Sequence, residues 1–348
     1  MSNAIIIHGG GLVDPSKEVI LRIAGGLYDQ EVYDKLYIGK YSFMSLYDTS
    51  LWVEYDLYTD EDFGGVRGTF FGTCRGIDMT NPELMEKSIS TLQEADIKTV
   101  IVCGGDGSSR NCAEINEEFQ KNGINIIFAV PLTVDGINGG YSIGLEQAAR
   151  EAIRQIENVV ATSLQTMDNG EFSVVAVELQ GRNRDDILAT VLQHFDRKGM
   201  IADWFLSKIL LRVVPANYDT DDVVLIEEIN SSKLPTLVML SEGAELKISD
   251  LTKKITRKVR TVNVGHAVQS NGMTTLEDME RYNDWLTDVT NIISRDPYGS
   301  YCIVNDGISR YAEPIDYYAK LNPREGQDAE LSPGLERLLW DYMEEFLG

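Results

Sequence analysis

Two aspartates stand where residue type and spacing could support chemistry. Asp106 lies inside a glycine loop, Gly104-Gly105-Asp106-Gly107-Ser108, which follows the apolar run TVIVC and precedes a polar, helix-forming stretch. Asp135 lies in PLTVDGINGG, directly after a second apolar run, INIIFAV. Glycines let a backbone approach phosphate closely, and the amides opening the next helix attract anions. A carboxylate in such a loop repels phosphate, so its chemical use would be to hold a divalent metal that bridges phosphate oxygens. The plain alternative is a tight turn with a helix-capping aspartate. Asp135, at a strand tip among small residues, suits a general base for a hydroxyl that receives a phosphoryl group, and Thr133 offers that group a hydroxyl and an amide. Its plain alternative is a polar loop whose aspartate satisfies backbone amides. A third loop, Gly9-Gly10-Gly11, is not a GxGxxG fingerprint and has no acid at the ribose-binding spacing. A dinucleotide site is therefore poorly supported, while Gly10 and Gly11 make a second phosphate contact plausible.

The elements that must position these loops are legible as alternating apolar runs and amphipathic stretches, the pattern of a parallel sheet with crossover helices. Residues 5–8, 99–103, 124–130, 172–179, 236–240 and 260–264 read as buried strands. Residues 109–122, 145–161 and 185–195 read as helices, and Asn81-Pro82 opens another that runs to about 95. Gly123 supplies a left-handed helix end. Residues 41–65, aromatic and acidic with few turn signals, read as a surface insertion or a pair of irregular strands. Residues 334–346 read as an acidic helix docked on the body.

Composition narrows the partners. The chain has 348 residues and a net charge of −24, which argues for two lobes and against nucleic acid or an anionic membrane surface. No apolar run spans a bilayer, and the first residues lack the basic start and apolar core of a signal peptide, so a cytoplasmic protein is expected. Cys74, Cys103, Cys112 and Cys302 show neither CxxC spacing nor a ligand pattern with the three histidines, and read as buried free thiols. His8 and His194 read as packing residues. Lys253, Lys254, Arg257, Lys258 and Arg260 form a basic cluster that is either a solvated face or an anion-attracting rim.

Taken in order, the motifs resemble the 6-phosphofructokinase family. The resemblance is carried by GTFFGTCR (68–75), VCGGDGS (102–108), PLTVDGINGGYSIG (131–144), VVAVELQGR (174–182), LSEGA (240–244) and RTVNVGH (260–266), and spans roughly 5–295. It implies an α/β fold of two three-layer lobes with mainly parallel sheets and a cleft between them. Residues 1–145 with about 267–300 would form the larger, nucleotide-binding lobe, and 146–266 with a C-terminal helix, 301–348, the smaller, acceptor-binding lobe. By resemblance, Asp106 serves Mg2+, Asp135 is the catalytic base and Thr133 contacts the phosphoryl group. Gly10, Gly11, Arg75, Gly104, Gly105, Gly107 and Ser108 would hold ATP, while Gly181, Arg182, Glu242, Arg260 and His266 would hold a sugar or sugar-phosphate-like acceptor. Gly107 goes with ATP, where pyrophosphate users have aspartate, and Leu132 stands where they tend to have lysine. The family's subunits imply a homodimer or homotetramer.

The departures from the family pattern bear on activity. Its second catalytic-loop aspartate is Ile137, its interface arginine is replaced at Phe172 or Ser173, and no arginine follows His266 at the usual place. Serine and glutamine do not replace a bidentate guanidinium on phosphate. Two readings follow: a kinase moving the ATP γ-phosphoryl to a sugar-like hydroxyl other than standard fructose 6-phosphate, or a catalytically impaired nucleotide or sugar-phosphate binding protein. Arg212 and the stretch around Lys258 are the first places to seek replacement cations.

Overall fold

A computed structural model of the chain describes residues 2–11, 13–59, 62–63, 70–74, 76–135, 137, 141–163, 166–180, 185–197, 208–216, 222–265 and 272–321. Arg75, Gly181, Arg182, His266 and the helix expected over 334–346 lie outside the described residues. The chain divides into two compact units, one of Met1–Gly144 with Met273–Pro323, the other of Leu145–Gly272 with Arg324–Gly348.

The first unit is built on a seven-stranded sheet. In chain order it contains β1 (Asn3–His8), α1 (Ser16–Asp29), β2 (Leu36–Gly39), β3 (Trp52–Glu54), α2 (Pro82–Glu94), β4 (Ile97–Gly104), α3 (Asp106–Lys121) and β5 (Asn125–Pro131). The strand order begins β3-β2-β1-β4-β5, and the inner strands run parallel. β4 and β5 are rich in β-branched residues and buried on both faces, as strands covered by crossover helices must be. One face packs Ile5, Ile7, Val100, Val102, Ile126 and Phe128 against Leu92, Cys112, Ile115 and Phe119 of α2 and α3. Each such fully buried aliphatic or aromatic side chain contributes roughly 1.5–3 kcal/mol. The start of α2 follows from its sequence: the Asn81 side chain accepts the Glu83 and Leu84 amides at 3.0 and 3.3 Å, with Pro82 at the first helical position. The end of α3 is followed by Gly123 at φ +75°.

The second unit carries a four-stranded, all-parallel sheet whose strands lie in the order Val259–Val264, Val174–Leu179, Thr236–Ser241 and Leu210–Val214. Its elements are α4 (Leu145–Ser163), the small hairpin β6 (Met167–Asp168) and β7 (Glu171–Phe172), β8 (Val174–Leu179), α5 (Asp186–Arg197), β9 (Leu210–Val214), α6 (Asp222–Ser231), β10 (Thr236–Ser241), α7 (Ile248–Lys254) and β11 (Val259–Val264). Val174, Ala176, Val238 and Leu240 pack against Leu225, Ile229 and Leu251 of α6 and α7. The chain then returns to the first unit with α8 (Leu276–Arg295), β12 (Tyr301–Asn305), β13 (Arg310–Pro314) and α9 (Tyr317–Leu321).

Three expectations need correction. Residues 301–321 belong to the first unit and are not part of a C-terminal helix of the smaller lobe: β12 pairs with β5, and β13 closes the sheet edge antiparallel to β12. The wholly buried Tyr301–Asn305 run supplies the apolar strand that the edge of β5 needs. Of the two readings of residues 41–65 the surface insertion fails, because Phe43 and Leu46 are buried in the core, and β3 pairs with β2 after two short 3-10 turns. In the basic cluster Lys253 and Lys254 are exposed, as a solvated face requires, but Arg257 and Lys258 do not form a free rim. Arg257 is buried and donates to the carbonyls of Phe172, Ile229, Ser232 and Leu234 and to Thr236 Oγ1, and Lys258 pairs with Asp168 at 2.8 Å. Cys103, Cys112 and Cys302 are buried free thiols, whereas Cys74 is partly exposed.

Candidate active site

The register of the larger sheet gathers the glycine loops. His8 pairs with Cys103 and Gly104 with Pro131, so β1, β4 and β5 end on one edge and release residues 9–11, 104–108 and 132–135 there. This is where ligands bind in open parallel sheets. The Gly9 amide donates to Cys103 O and the Leu132 amide to Gly104 O, both at 2.8 Å, which knits the three loops together. A Cβ on Gly104 would lie 2.5 Å from Ser108 Oγ, so a side chain there would force Ser108 to move. Gly11 has φ +79°, and a Cβ on it would meet Leu132 O at 1.7 Å. At Gly11 the backbone itself thus excludes other residues.

Asp106 is the first residue of α3, half-buried, with its carbonyl accepting Ser109 Oγ at 2.9 Å. A carboxylate in the first helical turn is favoured by the helix dipole. Thr133 is nearly buried and its amide donates to Ile143 O at 3.0 Å. Its Oγ1 accepts the Asp135 amide at 3.2 Å, a side-chain turn that holds Asp135 at the edge. A Cβ on Gly105 would lie 3.4 Å from the Thr133 Cβ, so the Asp106 loop and the Thr133–Asp135 loop touch. Gly107 is exposed, and a side chain there would meet nothing within 4 Å. Leu132 is fully buried, and Ile137 is only 3% exposed within the apolar cluster.

Among the described residues no group of three or more His, Cys, Asp or Glu side chains could hold a metal. A lone carboxylate at Asp106 nevertheless fits Mg2+, which keeps several waters and takes its other ligands from substrate phosphates. Among the described residues the donor set makes no self-contained protein cage and accommodates a metal shared with phosphate.

Of the acceptor residues expected in the second unit, Glu242 and Arg260 lie among the described residues. Glu242 is exposed just after β10, its amide donating to Leu179 O and its carbonyl accepting Lys247 Nζ, both at 2.7 Å. Arg260 pairs with Val175 near the start of β11, four residues before Val264. That spacing separates it by about 13 Å from the strand end. The two cations proposed as replacements are also committed: both Glu228 oxygens accept from Arg212, and Lys258 faces Asp168.

Sequence reasoning missed three buried groups at the strand ends. Fully buried His8 places Nε2 3.1 Å from Gly11 O, and burial pushes its pKa down to about 4. Ser42 Oγ donates to Gly9 O at 3.0 Å. In the second unit, Asp185 holds the Ala216 amide with carboxylate oxygens at 2.9 and 3.1 Å, and burial pushes its pKa up to about 6. The only sequence signal for His8 is its position at a strand end before glycines. Ser42 is 33 residues from Gly9 and carries none.

Comparison with known proteins agrees with this architecture. The family model described as Phosphofructokinase matches residues 3–281. An ATP-dependent 6-phosphofructokinase of Actinobacillus pleuropneumoniae is 33% identical over 122 residues, 34% of this chain and 35% of that protein. One from Staphylococcus epidermidis is 26% identical over 206 residues, 57% of this chain and 58% of that protein. The matches to the first of these curated relatives thus span about a third of their length. Among solved structures, pyrophosphate-dependent phosphofructokinase from Nitrosospira multiformis superposes with a TM-score of 0.73 at 16% identity, covering 97% of this chain and 90% of that one. Pichia pastoris phosphofructokinase in the T-state gives 0.73 at 16%, covering 100% and 41%. At such identities the structures establish the fold alone, and the family model supplies the membership: this chain belongs to the phosphofructokinase family.

Proposed function

We propose that the chain transfers the γ-phosphoryl group of ATP to a hydroxyl of a sugar or sugar-like acceptor, and that standard fructose 6-phosphate is a poor acceptor. The observation that carries this reading is the contact between the Asp106 loop and the Thr133–Asp135 loop on one sheet edge. Gly10, Gly11, Gly104, Gly105 and Ser108 hold the nucleotide phosphates, joined by Arg75, and the open space at Gly107 leaves room for a nucleotide. The buried Leu132 supports ATP over pyrophosphate, since no cation can occupy its place. Asp106 would hold Mg2+, which neutralises phosphate charge when bound. Asp135 removes the proton from the acceptor hydroxyl, and Thr133 orients Asp135 through its amide. Gly181, Arg182, Glu242, Arg260 and His266 contact the acceptor. On the same reading the protein is cytoplasmic and works as a homodimer or homotetramer.

Weak use of fructose 6-phosphate follows from electrostatics. A phosphate dianion near a −24 protein needs focused positive charge, and Arg212 and Lys258 are tied to Glu228 and Asp168. A second reading, a nucleotide or sugar-phosphate binding protein, is favoured by Ile137: the family's second carboxylate is replaced by a side chain turned into the core.

A coupled ADP-release assay with Mg2+ over a panel of sugars, beside calorimetry of ATP binding, separates the two readings. Turnover on at least one sugar, with fructose 6-phosphate at least tenfold poorer in kcat/KM (about 1.4 kcal/mol), is the expected outcome. Asp106→Asn should weaken Mg2+-dependent ATP binding and lower turnover together. ATP binding without product on any sugar would establish the binding-protein reading instead.

A further inference from the structure

Carbonyl oxygens carry partial negative charge, so a loop that receives phosphate must turn them away from its open side. In the 104–108 loop the backbone does this itself: Gly104 O accepts the Leu132 amide, and Gly105 O accepts the Ser108 and Ser109 amides at 3.0 and 3.1 Å. In the 9–11 loop side chains do it. Gly9 O accepts Ser42 Oγ at 3.0 Å, and Gly11 O lies 3.1 Å from His8 Nε2. We propose that His8 and Ser42 are positioning residues for phosphate binding, holding the Gly9 and Gly11 carbonyls inward so that the loop presents its amide side to an oligophosphate. This rests on the nucleotide reading above.

Both side chains are built into the fold in ways their own packing does not require. His8 and Ser42 are 0% and 1% exposed, so neither touches a ligand, and each acts through the loop. Burial keeps the imidazole neutral, leaving it one N–H, and a carbonyl partner demands that this proton sit on Nε2. The ring stands edge-on to Phe71, 6.5 Å between centroids, and Phe71 O accepts the Tyr41 amide at 2.9 Å. Tyr41 and Ser42 are consecutive non-glycine residues at φ +60° and +61°. Left-handed residues of this kind are strained and persist where surrounding structure enforces them. Here Ser45 Oγ donates to Ser42 O at 2.7 Å and secures the turn that carries the Ser42 hydroxyl to Gly9. The strained turn and the buried neutral imidazole thus converge on two carbonyls of one loop.

The test is calorimetry of Mg2+-ATP and Mg2+-pyrophosphate with the parent, His8→Phe, His8→Gln, Ser42→Ala and Ser42→Thr, each checked for folding by thermal unfolding. His8→Phe and Ser42→Ala should each weaken binding of whichever ligand the parent holds, by about tenfold. The loss should be the same for both ligands where both bind, since the loop reads phosphate. His8→Gln and Ser42→Thr, which keep a donor, should recover most of the affinity, and the acceptor KM should not move. If His8→Phe does not fold, Ser42→Ala carries the test alone. Parent-like affinity in the folded donor-less variants overturns the inference and leaves the nucleotide reading standing. A parent that binds neither ligand overturns both.

Discussion

The C-terminal edges of the two parallel sheets solve one problem differently. On the larger sheet, small residues face outward and a histidine is buried behind them. On the smaller, Asp185 is buried behind the strand ends and Glu242 is exposed in front. Desolvation drives both buried groups toward their neutral forms, His8 down to about 4 and Asp185 up to about 6. The resulting positions on the pH scale differ. The histidine brace cannot change charge under ordinary conditions, whereas the aspartate brace sits close to its titration. The edge that carries the glycine loops is thereby held constant, and the other edge is left adjustable.

The largest test of this contrast is chemical. If the larger edge performs the reaction and the smaller one recognises the acceptor, Asp135→Asn should lower kcat by about 10²–10⁴-fold with ATP affinity little changed. Glu242→Gln should instead raise the acceptor KM and spare kcat. Interchanged outcomes in steady-state kinetics would break the division. A stability test comes next. In the second unit the buried Arg257 guanidinium holds four carbonyls, which Arg257→Met would strand. A loss of at least about 1–3 kcal/mol is expected from the stranded carbonyls, read by denaturant unfolding.

The smallest effects sharpen the comparison through pH. His8 has a depressed pKa when folded, so its contribution is complete above about pH 6.5 and is lost as pH falls toward 4. Asp185 has a raised one, so its contribution is complete below its ordinary 3.8 and is lost as pH rises through about 6. The slopes have opposite signs, each worth at most about 3 kcal/mol. Stability differences between parent and His8→Gln, and between parent and Asp185→Asn, should therefore run in opposite directions between pH 4 and 6.5. Slopes of the same sign would show that one of the two braces is misassigned.

What the sequence disclosed tracks what is local. β4, β5 and the cap of α2 were legible because apolar runs and Asn81-Pro82 act over a few residues. β2 has four residues, β9 is interrupted by Arg212, and β13 is a polar edge ending in Pro314, so none carried a strand pattern. The glycine loops were legible because they follow strands directly. The braces were not, since Ser42 and Gly9, or Asp185 and Ala216, meet only through the fold. Arg212 and Lys258 looked available because a linear chain does not display the acids they pair with.

The return of the chain to its first sheet has a consequence for synthesis. β12 pairs with β5, yet more than 160 residues, including the whole second sheet, are translated between Pro131 and Tyr301. During that interval the growing polypeptide carries β5 as a bare edge of ready hydrogen-bonding groups, the kind that recruits strands from other chains. The ribosome therefore exposes this protein to mispairing until β12 and β13 emerge, and slow translation of the inserted unit lengthens that window.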